Sequence, residues 1–201
     1  MKNYFLIAIF SILLFSCKKS VESKIKKNET DLPVKYQELV DNETIYGLIN
    51  SEVLRENKIF NFCENVLNRK TAYYIGEDTV LLKKVDTLFS QKDKEFISKQ
   101  YRNSISFILN PKLLKHKKII EYDTTSNVSR EKSRKYWDKL IENNHCIGLI
   151  DLPLFNLKKD MAIVHVGYNC GLMCAEGGTY IYKLNSNGKW ELYLTVEKWI
   201  S

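Results

Sequence analysis

Apolar positions change their spacing several times along the chain, and each change marks a segment. Tyr4 to Ser16 (YFLIAIFSILLFS) is an almost unbroken apolar run, and residues 18–30 (KKSVESKIKKNET) are almost without apolar side chains. From Leu32-Pro33 onward the pattern is that of a folded domain. Asn42 to Arg55 and Lys58 to Asn68 repeat apolar residues at three- and four-residue spacings, which predicts helices. Ser90-Gln91-Lys92-Asp93 resembles a capping arrangement that opens a helix through about Arg102, with Phe89, Phe96, Ile97 and Tyr101 as its apolar stripe. Pro111 starts a short helical turn at Lys112–Lys115, ahead of a strand over Lys118–Tyr122. Residues 123–135 read as a loop, and Ser133 to Asn144 as a short helix carrying Trp137, Leu140 and Ile141 on one side.

The spacing then shortens toward two. Met161 to Tyr168, Thr179 to Leu184 and Lys189 to Trp199 are β-branched, aromatic and partly alternating, and His145 to Leu152 adds a fourth strand. Asn185-Ser186-Asn187-Gly188 predicts a hairpin turn, because Asn and Gly tolerate positive φ. Strict alternation would put Trp190, Leu192, Leu194 and Val196 on one face of the last strand. The expected fold is α+β, with a helical first half followed by a C-terminal antiparallel β-meander, in a single domain over residues 32–201.

Composition changes this picture in one respect. The 201 residues hold 31 Lys and Arg against 24 Asp and Glu, a net charge of +7 that invites a nucleic-acid reading. Lys2 belongs to the apolar N-terminal segment, and residues 18–27 hold five Lys against Glu22 alone. From Asn28 onward 25 basic residues face 23 acidic ones, an excess of +2. The domain is close to neutral, so no nucleic-acid partner is expected.

Thirteen apolar residues are too few to span a bilayer, which takes roughly 20 in a helix, but they suit a secretory signal. Leu14-Phe15-Ser16-Cys17 resembles the lipobox of bacterial lipoproteins, with an aliphatic residue at −3 and a small one at −1. Phe15 makes it a relaxed box, similar to those of Bacteroidetes-type lipoproteins. The resemblance implies a signal peptide over 1–16, a lipidated Cys17 that begins the mature chain, and a Lys-rich tether over 17–31. It also implies a membrane partner reached through acyl chains such as palmitate. Lys18 and Lys19 follow Cys17 with no Asp at +2, a pattern similar to outer-membrane sorting.

In an exported protein the remaining Cys63, Cys146, Cys170 and Cys174 are disulfide candidates, with three possible connectivities. A Cys170–Cys174 bond requires the turn that Gly171, Gly177 and Gly178 suggest, and a Cys63–Cys146 bond would close a long loop. Zinc at Cys170, Cys174 and His165, or a redox-active pair, is the alternative reading, although structural zinc usually takes two paired sets. No metal or other cofactor is expected. No nucleophile elbow, phosphate loop, dinucleotide fingerprint or His-Glu-x-x-His sequence occurs. His116 lies in a Lys run, His145 next to Cys146, and His165 on a face with Met161 and Ile163. Asp151 and Glu176 flank the strand region and could meet as an acid/base pair.

The loop from Cys170 to Gly178 (CGLMCAEGG) is the strongest candidate surface, with Leu172, Met173 and Glu176 as binding candidates. Apolar tips on rigid loops often contact partners. From Ala162-Ile163-Val164 to Trp199-Ile200-Ser201 the chain ends in a way similar to small bacterial lipoproteins of uncharacterised role. The expectation is therefore a non-enzymatic, lipid-anchored envelope protein that binds or shields a protein, as immunity lipoproteins do. The alternative is an envelope hydrolase or sugar-modifying enzyme.

Overall fold

A computed structural model describes residues 39–68, 85–104, 107–122 and 129–201. The N-terminal apolar run, Cys17, the Lys-rich segment and the domain start at Leu32-Pro33 lie outside them. All described residues fall in one unit, Pro33–Ser201.

Helix α1 (Asn42–Ile49) starts where Asp41 accepts hydrogen bonds from the amide and hydroxyl of Thr44, at 2.7 and 3.1 Å. The helical pattern over 42–55 is not continuous: α1 stops at Asn50, and α2 (Glu52–Arg55) is a separate turn behind Ser51. Asn57 caps α3 (Lys58–Asn61) by accepting from Ile59 and Phe60. The expected helix over Lys58–Asn68 ends there, and β1 (Asn65–Asn68) follows as a strand. Val66 and Leu67 are fully buried, one in each of two separate core clusters, so both faces of this strand are covered. A short strand buried on both sides carries no alternation and reads as helix in a single sequence.

The capping box at Ser90 and Asp93 is present and opens α4 (Gln91–Asn103). Strand β2 (Lys118–Glu121) follows the turn at Pro111. Helix α5 (Arg130–Asn144) begins earlier than the expected residue 133, because Ser129 accepts from the amide of Lys132 and caps it. The C-terminal strands are β3 (Ile147–Ile150), β4 (Leu154–Phe155), β5 (Met161–Asn169), β6 (Ala175–Leu184) and β7 (Trp190–Ile200).

The sheet order is β2-β1-β3-β5-β6-β7, with β4 pairing the beginning of β5. From β3 to β7 the pairs are antiparallel, as expected of a meander, but β1 runs parallel to both β2 and β3. The sheet is therefore mixed, and the first half of the chain is not simply helical. Parallel neighbours need long crossovers; α4 lies in the β1–β2 connection and α5 in the β2–β3 connection.

One sheet face carries Val66, Ile150, Val164, Val166, Tyr180 and Tyr182, covered by Ile45, Leu48, Leu54, Ile59 and Phe60 of α1–α3. On the opposite face Ile97 of α4 packs with Leu154, Ile163 and Ile181, and Leu140 of α5 packs with Leu67 and Ile147. In β7 the expected single apolar face is broken. Tyr180 pairs Thr195 while Thr179 pairs Glu197, and Ile181 pairs Leu194 while Tyr182 pairs Leu192. Val196 and Tyr193 are the extra residues of two bulges, and each bulge shifts the alternation by one residue. Leu192 thus shares a face with Tyr182, and Leu194 shares the other with Ile181.

Candidate functional site

Both cysteine pairs sit at one end of the sheet. Strands β1 and β3 begin side by side, so the residues just before them, Cys63 and Cys146, are at disulfide distance with Cα atoms 5.4 Å apart. Because β3 is antiparallel to β5, Ile147 lies across from Asn169, where the β5–β6 connection starts. That connection brings Cys170 and Cys174 to a Cα separation of 5.1 Å. The Cys170 amide donates to the Cys174 carbonyl at 2.7 Å, Cys174 donates back to Gly171 at 3.2 Å, and Gly171 donates to the Asn169 side chain at 2.9 Å. Gly171 has φ 116°, a conformation open to glycine, and Met173 is held at φ 58°. This tight loop leaves Leu172 95% and Met173 86% exposed, at its tip.

Glu176 is at the base of the loop on β6. It lies across from Tyr168 on one side and Ile200 on the other. The Tyr168 hydroxyl donates to its carboxylate at 3.2 Å, and desolvation together with that carboxylate raises the Tyr168 pKa above the ordinary phenol value. Phe62 stacks on Tyr168 with ring centroids 4.2 Å apart, and is itself more than half exposed. Ile200 is 82% exposed. On β6, immediately after Glu176, Gly177 lies under the indole of Trp199 and Gly178 under the ring of Tyr180, so a Cβ at either would strike an aromatic ring. The stapled end therefore offers a protruding Leu-Met tip together with the exposed Phe62 and Ile200 and the half-buried Tyr168, with Glu176 as the acidic group between Tyr168 and Ile200. Phe62 and Ile200 lie outside the sequence candidates. Phe62 falls within a pattern that reads as helix, and its position next to Cys63 is the signal that could have found it.

The polar residues of the opposite face form a second constellation that sequence reasoning did not assemble. His165 pairs Thr179 across β5 and β6, and Thr179 pairs Glu197 on β7. Asp151 continues the β3 ladder, its amide donating to the His165 carbonyl at 3.0 Å. His165 Nδ1 is 3.1 Å from Thr179 Oγ1. His165, Thr179 and Asp151 are all buried, at 9%, 1% and 3% exposure, so this row is not presented to solvent. Asp151 and Glu176 do not come together: the ladder puts Asp151 in register with His165, on the face opposite Glu176. His145 caps α5 with φ 59° and lies outside β3, and His116 also has positive φ. Among the described residues no group of three His, Cys, Asp or Glu side chains is arranged to hold a metal ion, and no helix is long and apolar enough to cross a membrane.

No protein-family profile matches the chain, and neither a curated protein nor a solved structure is significantly similar to it.

At the other end of the sheet a cleft of about 470 Å³ lies between α2 and the start of β7, lined by Ser51, Glu52, Glu56, Lys189, Trp190 and Glu191 among others. Asp41 is at this end too, bound to Lys159 at 3.0 Å and lining a hollow with Leu184 and Trp190. Strand β5 runs nine residues from this end to the stapled one, about 30 Å at the usual rise of ~3.3 Å per residue.

Proposed function

We propose that this chain is a lipid-anchored cell-envelope protein whose domain binds another protein through the Cys170–Cys174 loop. The observation that carries the reading is the exposure of Leu172 and Met173, 95% and 86%, on a loop closed by a cysteine pair and internal hydrogen bonds. Exposed apolar side chains held in one conformation lose little entropy on docking, which favours their use as a contact surface. Phe62 and Ile200 widen the apolar area, and Glu176 supplies a polar contact at its edge. The lipobox resemblance supports the anchor and a place in the outer membrane.

The test places a photo-crosslinking residue at Leu172, and separately at the exposed Leu157 in the turn before β5. The expected result is one specific protein adduct from position 172 and none from 157. The same weak adducts from both positions, or none from either, would sink the proposal.

The enzyme reading has one observation in its favour, the cleft that combines Trp190 with Glu52, Glu56 and Glu191. Aromatic faces and carboxylates are the groups that sugar chemistry uses. Hydrolysis of envelope glycan by the purified chain, lost in Glu191→Gln, would establish it.

A further inference from the structure

β7 is an edge strand of eleven residues, and among the described residues its outer side has no partner strand. Its two bulges give it an internal symmetry. Cross-strand partners share a sheet face, so Trp190, Leu192, Thr195, Lys198 and Ile200 belong to the face of Leu184, Tyr182, Tyr180, Gly178 and Glu176. Glu191, Leu194, Glu197 and Trp199 belong to the face of Lys183, Ile181, Thr179 and Gly177. The bulge residues join this second face: Val196 packs with the Ile163–Ile181 cluster, and Lys183 Nζ lies 5.5 Å from the Tyr193 ring centre. Outward from Thr195, the sequence of faces is then the same in both directions. The bulged pair Tyr193-Leu194 mirrors the bulged pair Val196-Glu197.

A strand without bulges has this symmetry about any residue. A strand with two bulges keeps it only when they are equally placed about the centre, as here. We propose that β7 pairs with β7 of a second copy of this chain, antiparallel and centred on Thr195, to continue the sheet across a two-fold axis. In that register residues equally distant from Thr195 oppose one another on one face. Leu194 meets Val196, Trp190 meets Ile200, Tyr193 meets Glu197, Leu192 meets Lys198, and Glu191 meets Trp199. No like charges are opposed, although β7 carries two Glu and a Lys. Leu192, Tyr193 and Leu194, 49%, 51% and 39% exposed in the single chain, would gain apolar neighbours or aliphatic stems. Bulges and an edge lysine commonly discourage edge pairing. Here the bulges coincide across the axis and the lysine faces a leucine.

The test uses self-crosslinking. Thr195 is exposed, and only at the centre of the register does a residue oppose its own copy. The full chain carrying Thr195→Cys, in detergent and under mild oxidation, should form a disulfide-linked dimer on a non-reducing gel. Leu192→Cys should not, because its partner is Lys198, and the pair Leu192→Cys with Lys198→Cys should restore the crosslink. Unchanged near-ultraviolet circular dichroism checks that each variant is folded. A folded Thr195→Cys chain that stays monomeric, or equal crosslinking of Thr195→Cys and Leu192→Cys, would overturn the proposal, including in favour of a foreign strand on this edge.

Discussion

Asn68 holds a distant loop through one side chain. It is 6% exposed, and its Oδ1 accepts from the Leu109 amide at 3.0 Å while its Nδ2 donates to the Glu121 carboxylate at 3.1 Å. Asn68→Ala would strand the buried Leu109 amide, and a buried donor left without a partner costs about 1–3 kcal/mol. Urea unfolding should show that loss as a lower midpoint with an unchanged slope. Asp41 makes a pH-dependent contribution. The Thr44 amide, and after it the Lys159 ammonium, hold its carboxyl well below the usual carboxylate range. A depressed folded pKa stabilises the fold above the unfolded value, near 3.8, and that contribution fades as pH falls toward the folded value. Asp41→Ala should cost about 1 kcal/mol at neutral pH, as lost N-caps do. The gap between variant and parent should narrow below about pH 4, where the carboxylate of the unfolded chain begins to protonate, and keep narrowing toward the lower folded value. A gap that stays constant throughout acid titration would show that charge plays no part.

Among the elements, the two cysteine pairs differ in what they restrain. Cys63 and Cys146 are 83 residues apart in sequence and tie the start of β1 to the start of β3, whereas Cys170 and Cys174 are 4 apart. In the chain-entropy model the first closure is worth about 4–5 kcal/mol and the second about 2. Cys63→Ala with Cys146→Ala should therefore lower stability well beyond Cys170→Ala with Cys174→Ala, measured by thermal unfolding. The second pair should instead weaken partner binding by freeing the tip. The antiparallel strands and α4 were legible in the sequence because alternation and the Ser90–Asp93 box are local signals. β1 was not, because four residues buried on both faces look like a piece of helix. The bulges in β7 left no mark in residue type, so the apolar stripe Trp190–Val196 read as one face. The same division holds at the candidate surface: the turn that exposes Leu172 and Met173 was legible from the Cys and Gly spacing, whereas Phe62 comes to that end only because a distant segment stacks on Tyr168.

For the whole molecule, charge and lipid are rival accounts of how the chain would hold to a membrane. The five Lys of residues 18–27 could attract anionic headgroups, each contributing about 1 kcal/mol and weakening with salt. Acyl chains on Cys17 would contribute about 0.8 kcal/mol per buried methylene, and two or more make attachment stable and indifferent to salt. From Asn28 onward the net charge is near zero, so the domain adds little to the electrostatic account. The lipid account predicts that the chain sediments with membranes through a high-salt wash and leaves them in detergent. Cys17→Ser should abolish that retention, while replacing the five Lys by Gln should leave it intact. Release by salt alone, with Cys17→Ser behaving as the parent, would assign attachment to the lysines and remove the lipoprotein reading.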